Sequence, residues 1–446
     1  MALSGRVIFE VIDQGTGEVV SRDELLTLGI KRPETIDQIG LETALQEKLV
    51  QSMGDKVIEL QGPLVNTHTV CPKCHHKVVK KGKTRCEIHT LNTDHMIEIQ
   101  KYRCPQCDWT SSDSIRNMYG TDVHTTLTKI QAELGSNFSH RKAARVLDLL
   151  SFEKERPINN KQRIKRVLDK VGELIGVYNM ANVPEKEIGE PELIIHVDGA
   201  HVATQEEEKR SFEAMIATIY RPEDVQQVNG NENIIQHKTC IASAKEDHQA
   251  SMKAMVLNAA KRAGMTKKTT VTAFSDGASN CKAIIEALSG HCGQLHKILD
   301  WFHIAMKFQN ILPVMPKDMQ EELKSAKWTL WHGRKEECCE KLKRIIDKVD
   351  DEKSRKRLAQ LEQYLTNNFD LLVNYEERKN NQQPFTSHVA ESTVENLVNS
   401  RCRQTGKMKW LREGTHSLLQ IRCATYSNFF NQLWNSITPK LYQPIQ

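Results

Sequence analysis

The stretch ELIIHVDGAHV, Glu192 to Val202, decides how the rest of the chain is read. Leu193 to Val197 is a short apolar run rich in β-branched residues, bounded by Pro191 and by Asp198-Gly199. Such a run predicts a strand buried on both faces, central in a mixed or parallel sheet. It delivers one carboxylate, Asp198, where strand gives way to loop, and Gly199 lets backbone or ligand come close. Alone, Asp-Gly after a strand is usually a turn. A second copy changes the weighing, because Thr270 to Ser275 (TVTAFS) runs strand-like into Asp276-Gly277. Two such strands, adjacent and parallel, bring Asp198 and Asp276 to the same end of one sheet, within reach of one metal ion.

Working outward, further strands are predicted near Phe212–Arg221 and His237–Ala244. A helix follows at 247–264, carrying Met252, Met255, Val256, Ala259 and Ala260. After the TVTAFS strand come a helix at 278–289 and a last strand, Leu295–Leu299, which runs into DWFH. Three meandering strands followed by alternating helix and strand is the order of an RNase H-like α/β fold. In that topology the first and fourth strands are neighbours and parallel, as the acid pair requires. This assigns 192–303 to the first part of the core.

Residues 304–385 break the rhythm. They are helical and charged, with sixteen basic against fourteen acidic residues, and read as an α-helical insertion. Their basic run Lys353–Arg357 reads as a solvated face. Residues 386–446 return to the core. There Val394, Leu397 and Val398 bury one side of a helix, and Glu391 lies one turn earlier at the margin of that stripe. Six Lys or Arg against one Glu between 401 and 422 make the neighbourhood basic.

Upstream of the core, 1–65 reads as a small α+β region, a hairpin and a helix without evident chemistry. The segment 66–118 holds two CxxC knuckles, Cys71 and Cys74 (CPKC) and Cys104 and Cys107 (CPQC). Four thiolates suit one tetrahedral Zn²⁺, whose binding folds a segment too small to fold on its own core. The 29 residues between knuckles suit a zinc ribbon with a hairpin inserted, and His75, His76, Cys86, His89 and His95 are nearby alternates. Eight Lys or Arg against four Asp or Glu across 71–110 leave it basic. Segment 119–182 reads as three helices resembling a helix-turn-helix, the third opening with Lys161, Arg163, Lys165 and Arg166. Asn182 to Pro191 marks a domain boundary.

Composition narrows the classes. At 446 residues, with 39% hydrophobic and 27% charged residues, the chain is an ordinary globular protein of two to four domains. No stretch approaches eighteen uninterrupted apolar residues, so no membrane partner is expected. The N-terminal alternation suits a hairpin better than an export signal. Twelve cysteines without such a signal imply reduced thiols and a cytoplasmic location. The net charge of +5 permits nucleic-acid binding without requiring it.

Two carboxylates on adjacent strands and a third on a helix can cage two Mg²⁺ or Mn²⁺ ions, which activate an attacking oxygen and stabilise a leaving one. Asp198, Asp276 and Glu391 are the chosen triad. Asp300 rivals Asp276, and Glu395 rivals Glu391. Arg401, Arg403, Lys407 and Lys409 are candidates to grip a phosphate backbone.

The combination HVDGAHV, FSDGASN, LDWFHIAMK and ESTVENLVNSRCRQTGKMKWLREG resembles DDE transposases of bacterial insertion sequences, in the ISKra-type group related to Mutator elements. The resemblance runs from the zinc knuckles to about residue 423. It implies cleavage and strand transfer at element ends, with Asp198, Asp276 and Glu391 in the catalytic positions. Asp300 and His303 match a supporting D-x-x-H element. The implied partners are double-stranded DNA, as terminal inverted repeats and target, and further copies of the chain in a homodimer or larger assembly at the bacterial nucleoid. Two other classes compete, a non-catalytic DNA-binding protein derived from a transposase and an RNase H-like nuclease that only cuts.

Overall fold

The structure is a computed structural model that describes residues 3–152, 158–184, 187–229, 232–387, 392–403 and 408–442. It divides into two compact units, residues 1–167 with 435–446 and residues 168–434. The division falls inside a helix rather than in the 182–191 segment.

The first unit opens with an antiparallel hairpin, β1 (Leu3–Ile12) and β2 (Val19–Ile30). Its turn is closed by the Asp13 carboxylate, which accepts from the Gly15 and Thr16 N–H groups. Helix α1 (Thr43–Val65) packs on a second hairpin, β3 (Val79–His89) and β4 (Asp94–Arg103). The approach is close at Gly62, where a Cβ would stand 2.5 Å from the Glu98 carbonyl oxygen. Beyond a short α2 (Ile115–Tyr119) come the three expected helices, α3 (Thr125–Asn137), α4 (His140–Leu150) and α5 (Lys161–Met180). Ser139 caps α4 by accepting from the Lys142 N–H. Leu127, Ala143, Leu147 and Ile164 share one core, the alanines letting α4 come close.

The second unit is built on a five-stranded sheet. Its strands are β5 (Glu192–Ala203), β6 (Ser211–Tyr220), β9 (Thr239–Ser243), β10 (Thr270–Ser275) and β11 (Gln294–Leu299). A small hairpin that periodicity did not reveal, β7 (Val225–Asn229) with β8 (Glu232–Ile235), comes between β6 and β9. The strand order is β11-β10-β5-β6-β9. Strand β5 pairs parallel with β10 and antiparallel with β6, and β10 pairs parallel with β11. The first and fourth strands of this sheet are therefore neighbours and parallel.

One expectation is corrected. Strand β5 does not stop at Val197, because β6 carries the antiparallel ladder through Asp198↔Ile216 to Ala203↔Ser211. Asp198-Gly199 is strand interior, not a strand-to-loop turn.

Alternation sends Leu193, Ile195 and Val197 into a core with α6 (Ala250–Arg262) and α7 (Ser279–Glu286). Ile194, Phe274 and Ile298 enter the core on the other side. Burial on both faces explains the continuous apolar run, and each such side chain contributes about 1.5–3 kcal/mol. That other core is completed by the insertion, which is helical as read: α8 (Trp301–Ile311), α9 (Lys317–Trp331), α10 (Lys335–Lys348), α11 (Glu352–Asn367) and α12 (Tyr375–Asn380). A helix at Arg412–Tyr426 packs on β9, with Gln420 donating to the Ala242 carbonyl at 2.7 Å. Among the described residues no helix is long and apolar enough to cross a membrane.

Candidate functional site

In the first unit the two CxxC knuckles converge. The Cys71 and Cys107 sulfurs lie 3.5 Å apart, and Cys74 lies 3.4 Å from both Cys104 and Cys107. The knuckles share one backbone design. The Cys71 N–H donates to the His76 carbonyl and the Cys104 N–H to the Trp109 carbonyl. The residue after each knuckle, His75 or Asp108, turns left-handed at φ near 57° and 56°. Burial opposes ionisation of Cys71, but the Cys74 and Lys73 N–H groups and neighbouring thiols outweigh it and lower its pKa to about 7. Four sulfurs at this spacing fit a tetrahedral site, so the cluster can hold a metal such as zinc. The alternates stand aside from it. His95 is buried against Asp55, and the Cys86 thiol faces the Asp113 carbonyl.

In the second unit three acids stand at the same step of three neighbouring strands, Asp198 within β5 and Asp276 and Asp300 just past the ends of β10 and β11. Val197, Ser275 and Leu299 are in register across β5, β10 and β11, and Asp198, Asp276 and Asp300 come one position later. Neighbouring strands lie about 4.8 Å apart. Their environments differ sharply.

Asp198 is half-buried. Burial, with the charges of Asp276 and Asp300, raises its pKa, while His303 and the Gly199 N–H oppose the rise. Asp276 is also half-buried. Its Oδ1 accepts from the Ala278 N–H at 2.9 Å, a local turn that starts α7. Gly277 has φ +84°, and a Cβ there would also crowd the Asn368 amide, so a side chain at this position is strained. Asp300 is fully buried and its oxygens are occupied. Oδ1 accepts from the Phe302 N–H at 3.2 Å, capping α8, and from the Ser387 N–H at 2.7 Å. Oδ2 accepts from His303 Nδ1 at 2.7 Å and from the Ser387 hydroxyl at 2.5 Å. Burial would raise its pKa, but these bonds and the nearby imidazole hold it below the ordinary carboxylate value. Asp300 is a structural anchor, and the open carboxylates are Asp198 and Asp276.

His303 stands between these roles. It shares with Asp198, Asp300 and His196 a pocket of about 20 Å³, room for one water. His196 is stacked between Phe274 and Tyr220, with ring centroids 4.9 and 5.5 Å away. Neither His196 nor Ser387 stood out in the sequence, since one looked like strand filler and the other lies 87 positions from its partner. Glu213 was also missed. It accepts from the Asn280 amide at 2.7 Å and lies against Gly199 on the opposite face of β5.

Residues 128–431 match the family model UPF0236, an uncharacterised protein family. The chain belongs to UPF0236. No curated protein matches this UPF0236 chain.

The remaining predicted positions divide. Glu391 and Lys407 lie outside the described residues. The rival Glu395 is exposed and accepts from Asn399 at 2.8 Å, at the start of a π-helical turn, Glu395–Asn399. Arg401 is corrected as a surface contact. It is 1% exposed, its guanidinium lies 4.7 Å from the Trp410 ring centroid, and burial lowers its pKa to about 10. Arg403 is exposed and donates to the His201 carbonyl at 2.8 Å, and Lys409 is exposed. On α5, Lys161, Lys165 and Arg166 are exposed, whereas Arg163 is half-buried and burial lowers its pKa.

Proposed function

We propose that this UPF0236 protein is a DDE transposase with an RNase H-like catalytic domain, which cuts DNA at element ends and joins the 3′ ends to target. The observation that carries this reading is the placement of Asp198 and Asp276 at one step of adjacent parallel strands. The strand order is the one that an RNase H-like fold requires.

The two carboxylates fit a hard divalent cation, since both remain partly open and the Asp198 pKa is raised by burial among like charges. Mg²⁺ or Mn²⁺ held by Asp198, Asp276 and Glu391 would polarise the scissile phosphate and activate the attacking oxygen. The rest of the work falls to this chain's own groups. Asp300 holds the His303 imidazole in place through Nδ1. The four-cysteine module and α3 to α5 serve as readers of end DNA, through Lys161, Lys165 and Arg166. Action in the cytoplasm, on the nucleoid, follows from this reading.

The test is incubation with labelled candidate end DNA and Mn²⁺, scoring nicking and joining. Nicking with joined products supports the transposase, nicking alone supports a nuclease, and binding without either leaves a DNA-binding protein.

A further inference from the structure

Beside Asp276 the second unit contains an open cleft of about 800 Å³. One wall is the Asp276–Ser279 turn with Lys282 of α7, and the other is Lys307 of α8 with one face of α11. We propose that this cleft holds the phosphodiester backbone of the DNA strand leading to the reacting phosphate, with Lys282, Lys307 and Lys356 as its phosphate contacts. The proposal rests on the nucleic-acid reading above and names where the substrate strand runs.

Charge selection is the first argument. Three lysines line the cleft and Asp276 is the only acid among its lining residues. Yet the insertion that supplies most of the wall carries fourteen acidic residues across 304–385. None of those fourteen lines the cleft. Both charged residues that the insertion gives to the cleft, Lys307 and Lys356, are basic.

The second argument is the design of α11. Lys356, Gln360, Gln363 and Asn367 recur at i, i+4, i+7 and i+11, so they form one stripe. Leu358, Leu361 and Leu365 form the opposite, buried stripe. The cleft face offers one ammonium and three carboxamides. Lysines and neutral amides are among the side chains that contact phosphate and sugar oxygens.

Length decides between a polymer and a small anion. Eleven residues of helix rise about 16 Å, roughly five nucleotides of a stacked strand at 3.4 Å each. A single nucleotide would leave most of that stripe unused. The cleft also reaches Asp276, one member of the acid pair. The Tyr364 hydroxyl donates to the Asp276 carbonyl at 2.8 Å, and Lys307 Nζ sits 4.2 Å from the Tyr364 ring centroid. A strand in the cleft thus lies beside the residue that would hold metal.

The full-length protein tests this through the salt dependence of binding to a labelled DNA duplex and a labelled single strand, with Mn²⁺-dependent nicking in parallel. The triple variant K282A/K307A/K356A should lower the slope of log affinity against log salt by about 2 to 3, at 0.7–0.9 per lost phosphate contact. Nicking should fall with it, while K324A, on α9, should behave as wild type. Equal melting temperatures exclude misfolding, because Lys307 and Lys356 are exposed and Lys282 is half-exposed. An unchanged slope with wild-type nicking removes the cleft and leaves the transposase reading standing. A lowered slope with no nicking by any form keeps the cleft and removes the enzyme. Absence of DNA binding by the wild type, or displacement of the strand by a mononucleotide as readily as by unlabelled DNA, overturns the cleft.

Discussion

Asp300 accepts two hydrogen bonds from Ser387, one from its N–H at 2.7 Å and one from its hydroxyl at 2.5 Å. That pair closes the helical insertion back onto the end of β11. Ser387→Ala removes the hydroxyl from a carboxylate that is 0% exposed. A hydrogen bond to a buried charge is worth about 1.5–3 kcal/mol, and denaturant unfolding should show a loss of that size. Asp300→Asn should cost at least as much. A neutral result would mean that Asp300 is not an anchor.

Asp276→Asn separates chemistry from recognition. The variant should lose cleavage by roughly a thousandfold or more, with binding to end DNA retained. Asp198→Asn should do the same. Cleavage near the wild-type rate by either would take that acid out of the site.

Tyr364→Phe probes the tie between α11 and β10. Losing one neutral hydrogen bond to the Asp276 carbonyl should lower stability by about 1 kcal/mol. If the tie positions Asp276, the nicking rate falls severalfold while DNA affinity holds. A stability loss with unaltered nicking would make it a fastening only.

The cysteine cluster predicts a metal requirement. Cys104→Ser should reduce bound zinc, measured by atomic emission on purified protein, and weaken DNA binding. Strong chelation should unfold the module in wild type. Protein that carries no zinc and binds DNA normally would remove the module from recognition.

Acid should weaken the second unit in a definite window. Burial pushes the His196 pKa down to about 4, with Asp300 opposing, and burial with Lys245 does the same for His416. Below about 6.5 the unfolded chain takes up protons that these folded imidazoles refuse, so stability falls as pH drops from about 6.5 to 4. A shift of this size in a fully buried histidine corresponds to about 3 kcal/mol at most. His196→Phe should flatten part of that slope in urea unfolding measured across pH. A slope unchanged by the substitution would assign the acid sensitivity elsewhere.

Much of the second unit was legible because its strands are buried on both faces. Runs such as Leu193–Val197 and Thr270–Ser275 leave little choice of element, and their order left little choice of neighbours. Strand order favoured Asp276 over Asp300 as the second metal ligand, and the structure adds that the Asp300 oxygens are occupied by hydrogen bonds. What escaped the sequence depends on distant partners. Ser387 gains meaning only from a carboxylate 87 positions away. Arg401 looked like a surface cation because its neighbours are basic, but an aromatic ring and a buried helix face enclose it. The extension of β5 past Gly199 was hidden because a ladder with β6, not local propensity, sustains it.

The closure at Ser387 also has a temporal side. Ribosomes deliver Asp300 long before Ser387, and the loop between them must be gathered before the carboxylate is satisfied. Until then the Asp300 carboxylate has only the Phe302 N–H and His303 to bond, two of its four donors. A chain that ends within the insertion never gains those two donors, so its Asp300 carboxylate stays under-bonded at the end of β11.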